Sequence, residues 1–300
     1  MKKRLAVWGW WQGRNLGDNW IKRIIAGLFP EAEFVDTRVT DFSAYDFVIC
    51  GGGGLFIYDA IRPWIDYAQA TPYGMLSLGA EFPHKTNQAY KLSRNAQFFY
   101  IRDQYSLDCM KINDLERSYD ITFASPLSFV DSGSLDGSKL FFVWRDGRDL
   151  LWNGQFQKYI CYEDKVDEYN RIIAEEFTEI TADDFQTRGN DIENRIDNCG
   201  FVISGRYHGI IAAIQKGLPC IAIDICPKIR VLMKECGLEE FCIKINETDK
   251  LKGLIGKARS ESETIRKKQL AYREKAIVTL EKHLIHVKAT VDRALDPQVQ

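Results

Sequence analysis

FVISGRYHGIIAAIQKGLPCIAID, residues 201–224, reads as two buried strands with one helix between them. The apolar run Phe201–Ile203 ends in Ser204-Gly205, a small-residue helical stretch follows, and Gly217 and Pro219 open a second apolar run. Continuous apolar strands separated by a helix belong to a parallel sheet covered on both faces. Arg206 and His208 then stand at the mouth of a strand-to-helix turn. Ligands of open α/β sheets bind at the carboxyl ends of strands, and the N–H groups of a helix amino terminus attract anions. Arginine suits bidentate recognition of carboxylate or phosphate, and histidine can bind phosphate or move a proton near neutral pH. The pair therefore points to an anionic ligand.

The same alternation extends outward in both directions. The first half carries the runs RLAVWGW, AEFVDT, DFVIC, MLSLGA, FFYIR and ITFAS. Between the first two, Ile21, Ile24, Ile25 and Leu28 share one helical face, with Asp18 placed to cap that helix. DSGSLDGS, residues 131–138, is small, polar and rich in turn formers, and reads as a linker. Beyond it the strands resume as KLFFVWR, TEITA, GFVISG, PCIAIDI and FCIKI, and Val166, Tyr169, Ile173 and Phe177 mark a helical face. The expected organisation is an α/β chain of two Rossmann-like domains, 1–132 and 138–246, with a helical tail over 247–300. In that tail Ile277, Leu280, Leu284, Val287 and Val291 form an apolar stripe that packs on a domain surface, while the basic 266–268 would alternatively suit a membrane surface.

Composition narrows the function classes. A formal charge of −2 gives no global argument for nucleic acid, so an anion must be held by a local cluster of positive groups. The eight cysteines include no C-x-x-C pair and sit mainly in apolar runs, the habit of free buried thiols, and no metal site is expected. The apolar start of MKKRLAVWGWW is too short for a signal peptide, and no run approaches a membrane span, so the chain reads as cytoplasmic.

Further loops stand at strand ends. In GWWQGRNLGDN, Trp10 and Trp11 are either core residues or a platform for a sugar ring. Gly51 to Gly54 permit close backbone approach to a ligand or a tight crossing of two chain segments. Arg102 and Asp103 suit a structural ion pair, Asp103 also capping a helix, and Arg145 ends the first strand of the second half.

Taken in order, N-x-G-D (Asn15, Gly17, Asp18), the glycine run, R-D-x-x-S (Arg102, Asp103, Ser106), Arg145, S-x-R-x-H-G (Ser204, Arg206, His208, Gly209), G-L-P and Lys228 resemble the polysaccharide pyruvyl transferase family over most of residues 5–245. The resemblance implies a GT-B-like fold whose first domain serves the acceptor and whose second serves the donor. It implies transfer of a pyruvate ketal from phosphoenolpyruvate to a sugar of a surface polysaccharide precursor, without metal or redox cofactor. By the same resemblance Arg145, Arg206, His208, Ser204, Gly205 and Lys228 would hold the donor. His208 would be a phosphate ligand or general acid and Asp18 a base or a helix cap. Asn15, Trp10, Trp11, Gly52, Gly53 and Gly54 would face the acceptor. Implied partners are phosphoenolpyruvate and a lipid-linked oligosaccharide, no nucleic acid, with peripheral association at the inner membrane face. Tyr207 departs from the Leu or Phe common between the arginine and histidine. Two other readings stand beside this one: a GT-B nucleotide-sugar glycosyltransferase, for which Asp224 would read the ribose, and a non-catalytic anion- or sugar-binding protein.

Overall fold

The computed structural model describes residues 3–11, 15–56, 71–80, 86–112, 115–130, 136–144, 163–183 and 195–296. Arg145 and most of the expected linker, 131–135, lie outside them. Two compact units emerge: Met1–Pro126 with Lys275–Gln300, and Leu127–Glu274.

The first unit is built on a six-stranded sheet ordered β2-β1-β3-β4-β5-β6. Its strands are β1 (Leu5–Gly9), β2 (Glu33–Asp36), β3 (Phe47–Phe56), β4 (Tyr73–Ala80), β5 (Phe99–Ile101) and β6 (Glu116–Arg117). Every pairing is parallel, with Val7 opposite Ile49 and Ile49 opposite Gly74. Ala6, Val7 and Trp8 are wholly buried, as a strand covered on both faces requires. Helix α1 (Leu16–Leu28) turns Ile21 and Ile25 inward. Helices α2 (Thr86–Asn95) and α3 (Gln104–Met110) complete the described helices of residues 1–126.

The expected strand in ITFAS is instead a turn of 3-10 helix, Ile121–Ala124. Asp120 accepts from Thr122 N at 3.1 Å, and Ser77 Oγ accepts from Ile121 N at 2.8 Å. These side-chain acceptors satisfy the amides that a strand would have given to a ladder.

The second unit carries a five-stranded sheet ordered β11-β10-β9-β7-β8. It comprises β7 (Lys139–Val143), β8 (Glu179–Asp183), β9 (Phe201–Ser204), β10 (Cys220–Asp224) and β11 (Cys242–Lys244), again all parallel. Helices α4 (Glu163–Glu176), α5 (Tyr207–Lys216), α6 (Pro227–Glu235) and α7 (Leu251–Ser260) accompany it. Helix α5 ends at Gly217 in the left-handed region (φ 71°), where any Cβ would also lie 2.3 Å from the Phe129 ring.

The unit boundary falls before the polar linker, because Leu127 N donates to Gln215 Oε1 at 2.8 Å and Val130 N to Lys216 O at 3.0 Å. The tail, read from sequence as one piece, is shared between the units. Its long helix α8 (Ser262–Leu295) begins on the second: Arg266 Nη1 donates to Gly217 O and Gln269 Nε2 to Leu218 O, both at 2.8 Å. Its later turns belong to the first, where His283 lies 2.8 Å from Ser118 Oγ and from Glu116 Oε1. Leu280, Val287 and Val291 of the apolar stripe are buried.

Candidate functional site

In the second unit the strand order reverses between β7 and β9, since β8 lies outside the one and β10 outside the other. The carboxyl edge at such a reversal is open to a ligand. Gly205 N donates to Val143 O at 2.8 Å, carrying the β7–β9 ladder one residue past Ser204. Ser204, fully buried, then makes the turn: its Oγ accepts from Arg206 N and donates to Arg206 O, each at 3.0 Å. Arg206 is left as the extended N-cap residue of α5 (φ −108°, ψ 136°), without a side-chain hydrogen bond to the first turn. The Arg206 side chain is aimed elsewhere, with Nε 3.5 Å from Trp144 O. That carbonyl lies just past β7, one residue before Arg145.

The S-x-R-x-H-G spacing has a steric cause. A Cβ on Gly209 would sit 2.3 Å from Ser204 Oγ and 3.3 Å from Val143 Cβ, so the first turn of α5 can rest on the ends of β9 and β7 only with glycine there. His208, almost wholly buried, lies edge-to-face against Tyr207, with ring centroids 5.5 Å apart and an interplanar angle of 84°. Lys228 extends from the first turn of α6 over the same Tyr207 ring, Nζ 5.9 Å from its centroid. Pro227, at the first helical position, sets the backbone angle of that turn. Ser204, Gly205, Arg206, His208 and Lys228 are thus brought to one edge, with Tyr207 between His208 and Lys228. In the sequence Tyr207 stands out only as a departure from Leu or Phe; its contact with Lys228 depends on α6 lying beside α5, which local pattern does not reveal.

Asp224 stands at the end of the adjacent β10, but its Oδ2 already receives Arg230 Nε and Nη2, each at 2.7 Å. Cys220 and Cys242 flank this region as buried thiols, both pushed up to about 12, chiefly by burial, and so held in the unreactive protonated form.

The first unit reverses its strand order between β1 and β3. Asn15 caps α1, its Oδ1 accepting from Gly17 N at 2.9 Å, so Asp18 is not the N-cap but a residue of the first turn. Asp18 and the glycine run do meet: a Cβ on Gly53 (φ 78°) would lie 3.0 Å from Asp18 Oδ1. Gly52 (φ 60°) serves a tight crossing as well, since its Cβ would lie 2.4 Å from Ile21 Cγ2. Gly54 is only partly buried. The two tryptophans part company. Trp11 folds back on β1, donating Nε1 to Val7 O at 2.9 Å and meeting Phe34 edge-to-face at 5.4 Å, whereas Trp10 is 40% exposed.

Arg102 takes the structural role. It is buried between Asp103 (3.2 Å) and Asp120 (3.4 Å) and lies across Gly79, whose Cβ would be 2.3 Å from its Nε. Asp103 caps α3 through Ser106 N at 2.7 Å, and Ser106 Oγ accepts from Ala80 N at 2.8 Å.

Two parallel α/β units, a long C-terminal helix and a strand-to-helix turn bearing Arg206 and His208 define a protein of the GT-B-like class. A family model described as polysaccharide pyruvyl transferase matches residues 15–227, and the chain belongs to that family, whose members act on polysaccharide as transferases. Among solved structures it is similar to HepE of Anabaena, crystallised with UDP and glucose, at 10% identity and a TM-score of 0.59 over 96% of this chain and 100% of that one. It is also similar to the wall teichoic acid polymerase TagF, at 10% identity and a TM-score of 0.50 over 99% of this chain and 90% of that one. At such identity these likenesses concern the fold. No curated protein matches the chain significantly.

Proposed function

We propose that the chain transfers a pyruvate ketal from phosphoenolpyruvate to two hydroxyls of a sugar in a polysaccharide precursor. The observation that carries this reading is the convergence of Arg206, His208 and Lys228 at the amino termini of α5 and α6, on the carboxyl edge where the strand order reverses. Two cations and two helix termini suit a small donor that carries both a phosphate and a carboxylate. In the proposed reaction a proton adds to the methylene carbon of the donor and leaves C2 electron-poor. One sugar hydroxyl attacks C2 and gives up its proton. The C2–O bond to phosphate then breaks, phosphate departing with a proton, and the second hydroxyl closes the ketal as its own proton leaves. His208 would protonate the donor or bind its phosphate, and Asp18 would accept a hydroxyl proton in the first unit. Trp10 would stack on the acceptor ring.

The acceptor is proposed to be a lipid-linked oligosaccharide met at the inner membrane face by a cytoplasmic protein. Among the described residues no helix is long and apolar enough to cross a membrane. A nucleotide-sugar glycosyltransferase is the less favoured reading, because Asp224, the carboxylate it would use on a ribose, has Oδ2 engaged twice by Arg230.

Calorimetric titration of phosphoenolpyruvate into wild-type protein and Arg206→Ala, beside a panel of nucleotide sugars, tests the choice. Saturable donor binding that vanishes in the variant is expected. Nucleotide-sugar binding with no response to phosphoenolpyruvate overturns the proposal.

A further inference from the structure

A cleft of about 430 Å³ opens in the first unit beside Tyr90, Arg94, Phe98, Phe99, Glu116 and His286. Phe99 and Glu116 begin β5 and β6, so this cleft lies toward the amino edge of a parallel sheet, opposite the edge that carries the glycine run. It is separate from both edges described above. Its volume falls within the range of small-molecule sites.

The lining combines an aromatic wall with three kinds of polar group. Tyr90 is 47% exposed, and Arg94 Cζ lies 5.2 Å from its ring centroid. The last turn of α2 favours a cation at Arg94 by its dipole, yet no carboxylate among the described residues pairs with it. Across the cleft Tyr100 Oη lies 2.7 Å from His286 Nδ1. Burial and the Glu116 carboxylate push the Tyr100 phenol up to about 12, so it keeps its proton and can donate. His286 meets that hydroxyl through Nδ1, the donor and acceptor roles depending on the tautomer, and its residue is exposed. Glu116 has Oε1 engaged by His283 Nε2 at 2.8 Å, and among the described residues its second oxygen can accept from a hydroxyl.

A cation, an imidazole, a carboxylate acceptor and an exposed aromatic ring together match a hydroxylated ring that bears a carboxylate. We propose that this cleft is a second binding site, for an anionic sugar unit of the glycan on which the chain acts. Arg94 takes the sugar's carboxylate, Tyr90 its apolar face, and His286 and Glu116 its hydroxyls. The choice of a sugar over another anionic ring rests on the polysaccharide reading above. A sugar carrying a pyruvate ketal has this chemistry, so the site would hold a growing chain by units already modified.

The test is a calorimetric titration of the full chain with a glucuronate-containing tetrasaccharide and with its carboxyl-reduced counterpart. Binding of the acid should weaken about tenfold in Arg94→Gln and in Tyr90→Ala, and the reduced sugar should bind wild-type protein about tenfold more weakly. Arg206→Ala should leave this binding unchanged. Because Tyr90 is half-exposed and Arg94 lies on its ring, both variants should keep the wild-type melting temperature. No binding of the acid, or equal binding by wild type, Arg94→Gln and Tyr90→Ala, overturns the proposal. Titration of the same preparations with phosphoenolpyruvate reads the donor site independently: Arg94→Gln should bind it normally, so failure of one proposal does not imply failure of the other.

Discussion

Arg102 and Arg206 each follow a strand and precede a helix, yet they are held in different ways. Arg102 has a side chain only 1% exposed, with carboxylates of Asp103 and Asp120 at 3.2 and 3.4 Å. Arg206 remains partly exposed and reaches a neutral carbonyl, Trp144 O at 3.5 Å. A guanidinium surrounded by the protein's own carboxylates is committed to holding the fold. Arg206 instead stands at a helix amino terminus, on the carboxyl edge where the strand order reverses. The two arginines share a position in a turn and differ in burial.

The widest separation between them should come from replacing each by a residue without charge. Arg102→Ala leaves two buried carboxylates uncompensated and should cost about 3–5 kcal/mol of stability, seen as a lowered midpoint in urea. Arg206→Ala should leave that midpoint near wild type while abolishing measurable phosphoenolpyruvate binding. Similar loss of stability in both variants would erase the distinction.

His208→Gln should lower kcat about 100-fold or more and remove a limb of the pH–rate profile, with a smaller change in donor KM. An unchanged pH profile would reduce His208 to a phosphate ligand or a packing residue. Gly209→Ala pushes a methyl against Ser204 and should cost about 1–3 kcal/mol, with donor affinity falling as the turn shifts. Retained affinity would show that the turn tolerates displacement. Asp18→Asn should lower kcat at saturating acceptor with little change in melting temperature, since Asn15 rather than Asp18 caps α1. Full activity with an unchanged pH dependence would dismiss Asp18 as the base. Trp10→Ala, the mildest change, should raise acceptor KM several-fold and leave phosphoenolpyruvate binding intact.

Much of this organisation was legible along the chain. The buried runs around 201–224 announced a parallel strand–helix–strand unit, because a strand without polar alternation needs cover on both faces. The same local logic placed Arg206 and His208 at a helix start and Asp103 as a cap. It misjudged the cap of α1, where Asn15 and Asp18 are both suitable residue types three positions apart and only backbone geometry chooses between them. It misjudged ITFAS as well, whose apolar residues suit a strand until Ser77, 44 residues earlier, takes the Ile121 amide.

Residue types and their spacing were enough to determine the parallel α/β architecture, the two-unit plan and the strand-to-helix turn that carries Arg206 and His208, since hydrogen-bond and apolar periodicities operate within a few residues of each other. Tertiary structure alone decided the two strand orders, the burial of Arg102 by Asp120, the placing of Tyr207 between His208 and Lys228, the fit of Gly52 beneath Ile21 and the sharing of α8 between units. Each depends on which distant surfaces meet. Such choices are made by packing volume and charge compensation across the fold, and no short stretch of chain contains both partners.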